Sequence, residues 1–165
     1  MPISEDTLKT VNECLPGAAF SEYRGQHRAV IDVGQLIPSL TKLKDAGFDY
    51  LVDITCVDYL NYRGATNRFG LAYLLANSET AERFTIRVML DEPNLEIASA
   101  VPLWEGANWM EREVFDMFGI KFTGHPNLIR ILLPQEFTAH PLRKDYPLQG
   151  RGERHNFPTL TRAEA

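Results

Sequence analysis

A chain of 165 residues, 44% hydrophobic and 24% charged, is sized for one globular domain with little left over for a second. It has no run of about 18 apolar residues, so no membrane-spanning helix is expected, and the acidic start MPISEDTLKTVNECL fits neither a secretory signal nor a transit peptide. The net charge of −5 is uneven: from Lys121 onward seven basic residues face four acidic ones, which leaves +3 on the tail and −8 on the first 120 residues. An acidic body with scattered basic residues argues against a nucleic-acid partner and suits a tail that docks on an acidic protein surface.

Ser4 to Leu15 reads as an amphipathic helix. Ser4 caps it, Glu5 and Asp6 favour its positive end, and Leu8, Val11 and Leu15 share one face. Pro16-Gly17 stops it. Ala18 to Arg24 and Arg28 to Val33 read as strands joined at Gly25-Gln26. Gln35 to Ala46 reads as a second helix, with Leu36, Leu40 and Leu43 inward and Gly47 at its end. Tyr50 to Asp58, Arg68 to Ala76 and Arg83 to Leu90 are three strands with polar turns between them, an antiparallel meander. Pro93 to Pro102 reads as a short helix. Trp104 to Phe118 is the last helix, ended by Gly119. The sum is an α+β domain: a mainly antiparallel or mixed sheet with helices on one face, spanning residues 1–120.

Residues 121–165 differ in character. They hold five of the ten prolines, which removes backbone donors and argues against long helix or sheet. They are still rich in anchors, among them Ile129, Ile131, Leu132, Phe137, Leu142, Leu148 and Phe157, where a disordered linker would be poorer. The expectation is an extended C-terminal arm that docks on a partner protein, in preference to one that wraps back on its own body.

Most chemical motifs are missing. There is no GxGxxG, no GxxxxGK[ST] and no GxSxG. His27, His125, His140 and His155 lack the HExxH spacing of a metal helix. Cys14 and Cys56 form no CxxC pair, so they read as free thiols, and an all-thiolate iron–sulfur site is not expected. Glu111, Glu113 and Asp116 form the densest carboxylate group. As a catalytic group they would work with His125 or His140 in a small hydrolase or isomerase. The plainer reading is a charged helix face, with Arg112 and Asp116 paired at i,i+4. Trp109, Phe115 and Phe118 flank these charges, and a half-buried cluster needs cations such as Arg130, Arg143 and Lys144.

The run from Glu111 to Gly119 (ERExxDMFG), then Phe122, Gly124-His125-Pro126, Arg130-Ile131-Leu132 and His140-Pro141-Leu142-Arg143-Lys144-Asp145-Tyr146-Pro147-Leu148, resembles the signature of the 30-kilodalton subunit family of bacterial NADH:quinone oxidoreductase, respiratory complex I. The match covers about 38 residues in register and is highly specific; the body before Trp104 matches loosely. One position departs: the family usually has a basic residue just before Arg130, and here Ile129 stands there. The chain also ends soon after the signature, unlike the form that is fused to a following subunit.

The resemblance implies a structural subunit of the peripheral arm of a translocating complex. FMN and iron–sulfur clusters belong to partner subunits, and no cofactor, metal or catalytic residue is expected on this chain. Its arm would lie on the large quinone-site subunit, beside iron–sulfur subunits at the cytoplasmic face of the bacterial inner membrane. The interface residues implied are Glu111, Arg112, Glu113, Asp116, Phe118, His125, Pro126, Arg130, His140, Pro141, Arg143, Lys144, Asp145 and Tyr146. Arg143 and Lys144 would set register by pairing with carboxylates, on the partner or at Glu111, Glu113 and Asp116. The equivalent subunit of a membrane-bound hydrogenase, or of a quinone oxidoreductase with another donor, is the alternative.

Overall fold

The computed structural model describes residues 3–153. Helix α1, Glu5–Cys14, starts where Ser4 accepts a hydrogen bond from Thr7 N–H and stops before Pro16-Gly17. Buried Glu82 accepts from Ser4 N–H (2.7 Å) and Thr7 Oγ1 (2.8 Å), which ties the start of α1 to the turn ahead of Arg83. Strands β1, Ala19–Tyr23, and β2, Gln26–Ile31, form the expected hairpin. Its turn lies one residue earlier than Gly25-Gln26: Arg24 and Gly25 both have positive φ, as a tight hairpin turn of this hand requires. A single 3-10 turn over Val33–Gln35 leads into α2, Leu36–Asp45, whose Leu36, Leu40 and Leu43 are fully buried.

Strands β3, Tyr50–Asp58, β4, Phe69–Ala76, and β5, Arg83–Leu90, pair antiparallel as a meander. Strand β2 pairs parallel with β5, so the five-stranded sheet is mixed, in the order β1-β2-β5-β4-β3. Along β4 and β5 burial alternates, and Phe69, Leu71, Tyr73, Leu75, Phe84, Ile86 and Val88 line the covered face. The helices pack on that face, and the α+β class holds.

The stretch Pro93–Pro102 is not a helix. Glu96–Ala98 is strand β6, which pairs in parallel with Lys121–Thr123, strand β7. Helix α3, Ala107–Phe118, is the crossover between them, and it begins three residues later than Trp104. The reason is burial with a period of two: Ile97 and Ser99 are buried, Ile97 across from buried Phe122, and the eight residues between Pro93 and Pro102 give no helical stripe. Strand β7 and buried Ile120 and Phe122 make residues 120–123 part of the packed body. Beyond Thr123 the described arm runs in turns and bends, with no helix or longer strand. Phe157 and the tail residues His155, Pro158 and Arg162 lie outside the described residues.

Candidate functional site: the clasp between α3 and the C-terminal arm

The expected carboxylate cluster does not come together. Glu111, Glu113 and Asp116 leave α3 toward three different surroundings. Glu111 is fully buried and accepts from Ser99 Oγ (2.7 Å) and Ala100 N–H (2.6 Å). Glu113 is exposed. Asp116 is fully buried beneath the arm.

Asp116 is the centre of the clasp. Its Oδ2 accepts three successive backbone N–H groups, from Ile131 (3.0 Å), Leu132 (2.8 Å) and Leu133 (2.9 Å). Its Oδ1 accepts from the Arg130 guanidinium at 2.5 Å. Burial alone would raise the pKa of this carboxyl, but the bonds from Leu133, Arg130, Leu132 and Ile131 outweigh it and hold the value below the ordinary one. Arg130 also donates to the carbonyls of Asp116 (3.2 Å) and Ala139 (3.1 Å) and lies over the Phe137 ring. Arg112 pairs not with Asp116 but with the arm backbone, donating to the carbonyls of Ile129 (3.0 Å) and Arg130 (3.3 Å) while stacking on Trp109. At the departing position the Ile129 side chain is exposed, and only its carbonyl is engaged with Arg112.

The motif His140-Pro141-Leu142-Arg143 closes the other end of α3. The last carbonyls of a helix have no partner within the helix. Here His140 Nδ1 donates to Asp116 O (3.0 Å), Leu142 N–H to Met117 O (3.2 Å) and Arg143 Nε to Phe118 O (2.6 Å). The Arg143 cation also sits at the negative end of the helix dipole. Gly119, at φ +77°, ends the helix, and a Cβ there would come within 2.5 Å of His140 Nε2. Glycine therefore admits the His140 ring to the helix end. Burial first, and then the neighbouring arginines, hold the His140 pKa below its ordinary value against the opposing bond to Asp116 O.

Arg143 and Lys144 do not meet the α3 carboxylates. Arg143 bridges to Glu92 (3.0 Å) and covers Phe69. Lys144 uses its backbone N–H, which donates to Asp58 (2.8 Å), and its side chain is left outward. Asp145 pairs with Arg68 (2.9 Å), which also reaches Glu92 (2.8 Å) and Asp58 (3.4 Å). Tyr146 packs against Phe137. His125 bonds the Asn108 carbonyl through Nε2 (3.2 Å) and accepts from Asn127 N–H, next to exposed Pro126. Pro141 is half-buried in the clasp. Asp58, Arg68 and Glu92 are the participants that sequence reasoning missed. Nothing at their own positions marks them, because their roles depend on partners 10 to 86 residues away.

The described arm thus packs along its own body through Asp116, the end of α3, Asp58 and Glu92. The cluster offers little for acid–base chemistry: all the Asp116 oxygens are engaged, and the bonds of His125 and His140 to α3 end on backbone carbonyls. Two surface cavities of about 430 and 390 Å3 lie elsewhere, one around Cys14, Asp32 and Lys42, the other around His27, Leu74 and Arg83. Among the described residues no helix is long and apolar enough to cross a membrane, and no three His, Cys, Asp or Glu side chains converge to hold a metal ion.

Residues 29–152 match the family model described as respiratory-chain NADH dehydrogenase, 30 Kd subunit. An NADH-quinone oxidoreductase subunit from Citrifermentans bemidjiense is 43% identical over 131 residues, 79% of this chain and 80% of that one. The corresponding NADH-quinone oxidoreductase subunit from a Roseiflexus species is 40% identical over 149 residues, covering 86% of this chain and 82% of its own. Among solved structures, a trypsin-resistant fragment of Nqo5 superposes with a TM-score of 0.69 at 31% identity, over 75% of this chain and 98% of the fragment. A chain of the archaeal membrane-bound sulfane sulfur reductase shares the fold, with a TM-score of 0.76 at 23% identity over 87% of this chain and 85% of that one. With Asp116, Arg130, His140 and Arg143 of the signature joined in one clasp and three-quarters of the chain matched, this protein belongs to the 30-kilodalton subunit family of the respiratory-chain NADH dehydrogenase.

Proposed function

We propose that this chain is a cofactor-free structural subunit of the peripheral arm of a proton-translocating NADH:quinone oxidoreductase. It contributes shape, not chemistry. Its C-terminal arm docks on the quinone-site subunit, beside iron–sulfur subunits at the cytoplasmic face of the bacterial inner membrane. FMN and the clusters reside on those partners. The observation that carries the docking step is the set of large apolar side chains left in solvent on α3 and the arm. Trp109 and Leu132 are each 61% exposed, and Ile129, Ile131, Leu142 and Leu148 are exposed too. Lone exposed apolar residues are ordinary, but a set of them with a stacked Trp–Arg pair is the composition of an interface centre.

The clasp changes what each signature residue contributes to docking. Asp116, Arg130, His140 and Arg143 are engaged inside the chain. They act on the partner by holding the exposed apolar residues in place. Affinity then comes from the aliphatic side chains and Trp109, and the basic groups left outward, such as Lys144, contribute at the rim.

The test is affinity capture of the tagged full chain from its native membranes, compared with a Leu132→Asp/Leu142→Asp variant whose melting temperature is checked first. The full chain should bring down iron–sulfur and flavin subunits with NADH:quinone activity. The variant should lose at least about tenfold of that recovery, the weight of one central interface residue. Undiminished recovery with the variant would move the docking surface elsewhere. Hydrogenase-type partners would keep the scaffold and change the electron donor, since the fold is shared with the sulfane sulfur reductase complex. A chain that comes down alone would overturn the reading.

A further inference from the structure

Glu111 differs from Asp116 and Asp58 in having no cation beside it. It is fully buried, yet the described residues bring it no arginine, lysine or histidine bond. From the segment after β6 it meets Ser99 and the backbone of Ala100. From β4 the nearest titratable group is Tyr73, whose buried phenol oxygen has no hydrogen-bond partner among the described residues. Cys56 of β3 is buried beside that phenol. None of these groups can carry a positive charge to balance a carboxylate.

The hydrogen bonds around Glu111 suit two protonation states. In the charged state Ser99 Oγ–H donates to Oε2 and Ala100 N–H to Oε1. Ser99 Oγ meanwhile accepts from Val101 N–H at 3.2 Å. A hydroxyl rotates freely and both donates and accepts. If a proton from solvent binds Oε2, the new O–H donates to Ser99 Oγ, and the serine hydrogen turns away. Ala100 N–H keeps its bond to Oε1. No heavy atom has to move.

We propose that Glu111 is an internal proton-binding site, in which Ser99 serves both protonation states by turning its hydroxyl. Burial pushes the Glu111 carboxyl up to about 7, against the opposing bonds from Ser99 and Ala100. The site therefore changes charge in the neutral range, where α3 packs on the segment that follows β6. It is independent of the docking reading above, and either can fail without the other.

The experiment is a carboxyl-carbon NMR titration of the full chain with labelled glutamate. One glutamate should titrate with a midpoint near 7, and its signal should be missing in Glu111→Gln. Ser99→Ala removes a donor that favours the charged form, so it should move the midpoint further up. Stability gives a second readout. A carboxyl raised from 4.5 to about 7 on folding stabilises fully below the lower value, and that contribution fades as pH rises to the upper one. The melting temperature should therefore fall across that interval by several degrees, and the fall should flatten in Glu111→Gln. If every glutamate titrates in the ordinary range, or if Ser99→Ala leaves the midpoint in place, the proposal is wrong. Should Glu111→Gln not fold, the titrations of the wild type and of Ser99→Ala decide the matter alone.

Discussion

Asp116 concentrates more of the clasp than any other side chain, accepting four hydrogen bonds from the arm while fully buried. Replacing it with asparagine puts an amide donor against a donor-rich wall and strands Arg130. Breaking one side of a buried pair costs about 3 kcal/mol or more, so Asp116→Asn should lower the melting temperature by on the order of 10 °C. Its acid limb follows from the same contacts. Asp116 and Asp58 both have pKa values held below 3.8 in the fold: burial opposes this, but backbone N–H bonds and an arginine prevail. Their contribution is present above 3.8 and is lost as pH falls through the folded values. Denaturant midpoints measured down the acid range should drop steeply for the wild type and less steeply for Asp116→Asn. Gly119 carries a constraint of a different kind. Gly119→Ala adds left-handed strain and pushes a methyl into His140, so a loss of about 2 kcal/mol is expected in urea unfolding, with His140 displaced.

At the scale of elements, the helix and the arm are one unit. The carbonyls of Asp116, Met117 and Phe118 find donors in His140, Leu142 and Arg143, which spares α3 an open C-terminus in a half-buried setting. Arg143 is thus a structural residue of the α3 end. Arg143→Gln should cost about 1–2 kcal/mol and speed hydrogen exchange in the last turn of α3, with α1 and α2 unaffected. Truncation after Gly119 is a poor probe of docking, because it also removes β7 with buried Ile120 and Phe122. A cut after Gly124 leaves the β6–α3–β7 unit whole. It should still loosen α3, since it takes away Arg130 and the capping motif.

For the whole molecule, the clasp holds the backbone that carries exposed Ile129, Ile131 and Leu132, and a preordered surface loses less conformational entropy on binding. The arm's Arg130 and Arg143 are paired within the chain, so partner association should depend weakly on salt. Raising ionic strength several-fold should change the affinity for the isolated partner by no more than about threefold. A steep salt slope would return the arm to an electrostatic role. The sequence alone determined the α1 cap at Ser4, the β3–β5 meander and the end of α3 at Gly119, because capping and periodicity are local properties of neighbouring side chains. It also determined family membership, since the ERExxDMFG and HPLRKDYPL runs are specific as strings. It misread Pro93–Pro102 as helix, where β6 exists only because β7 lies beside it. Which carboxylate meets which arginine, and why Asp58 serves Lys144 across 86 residues, was decided by the tertiary structure, because burial and hydrogen-bond partnership arise only when distant segments of the chain meet.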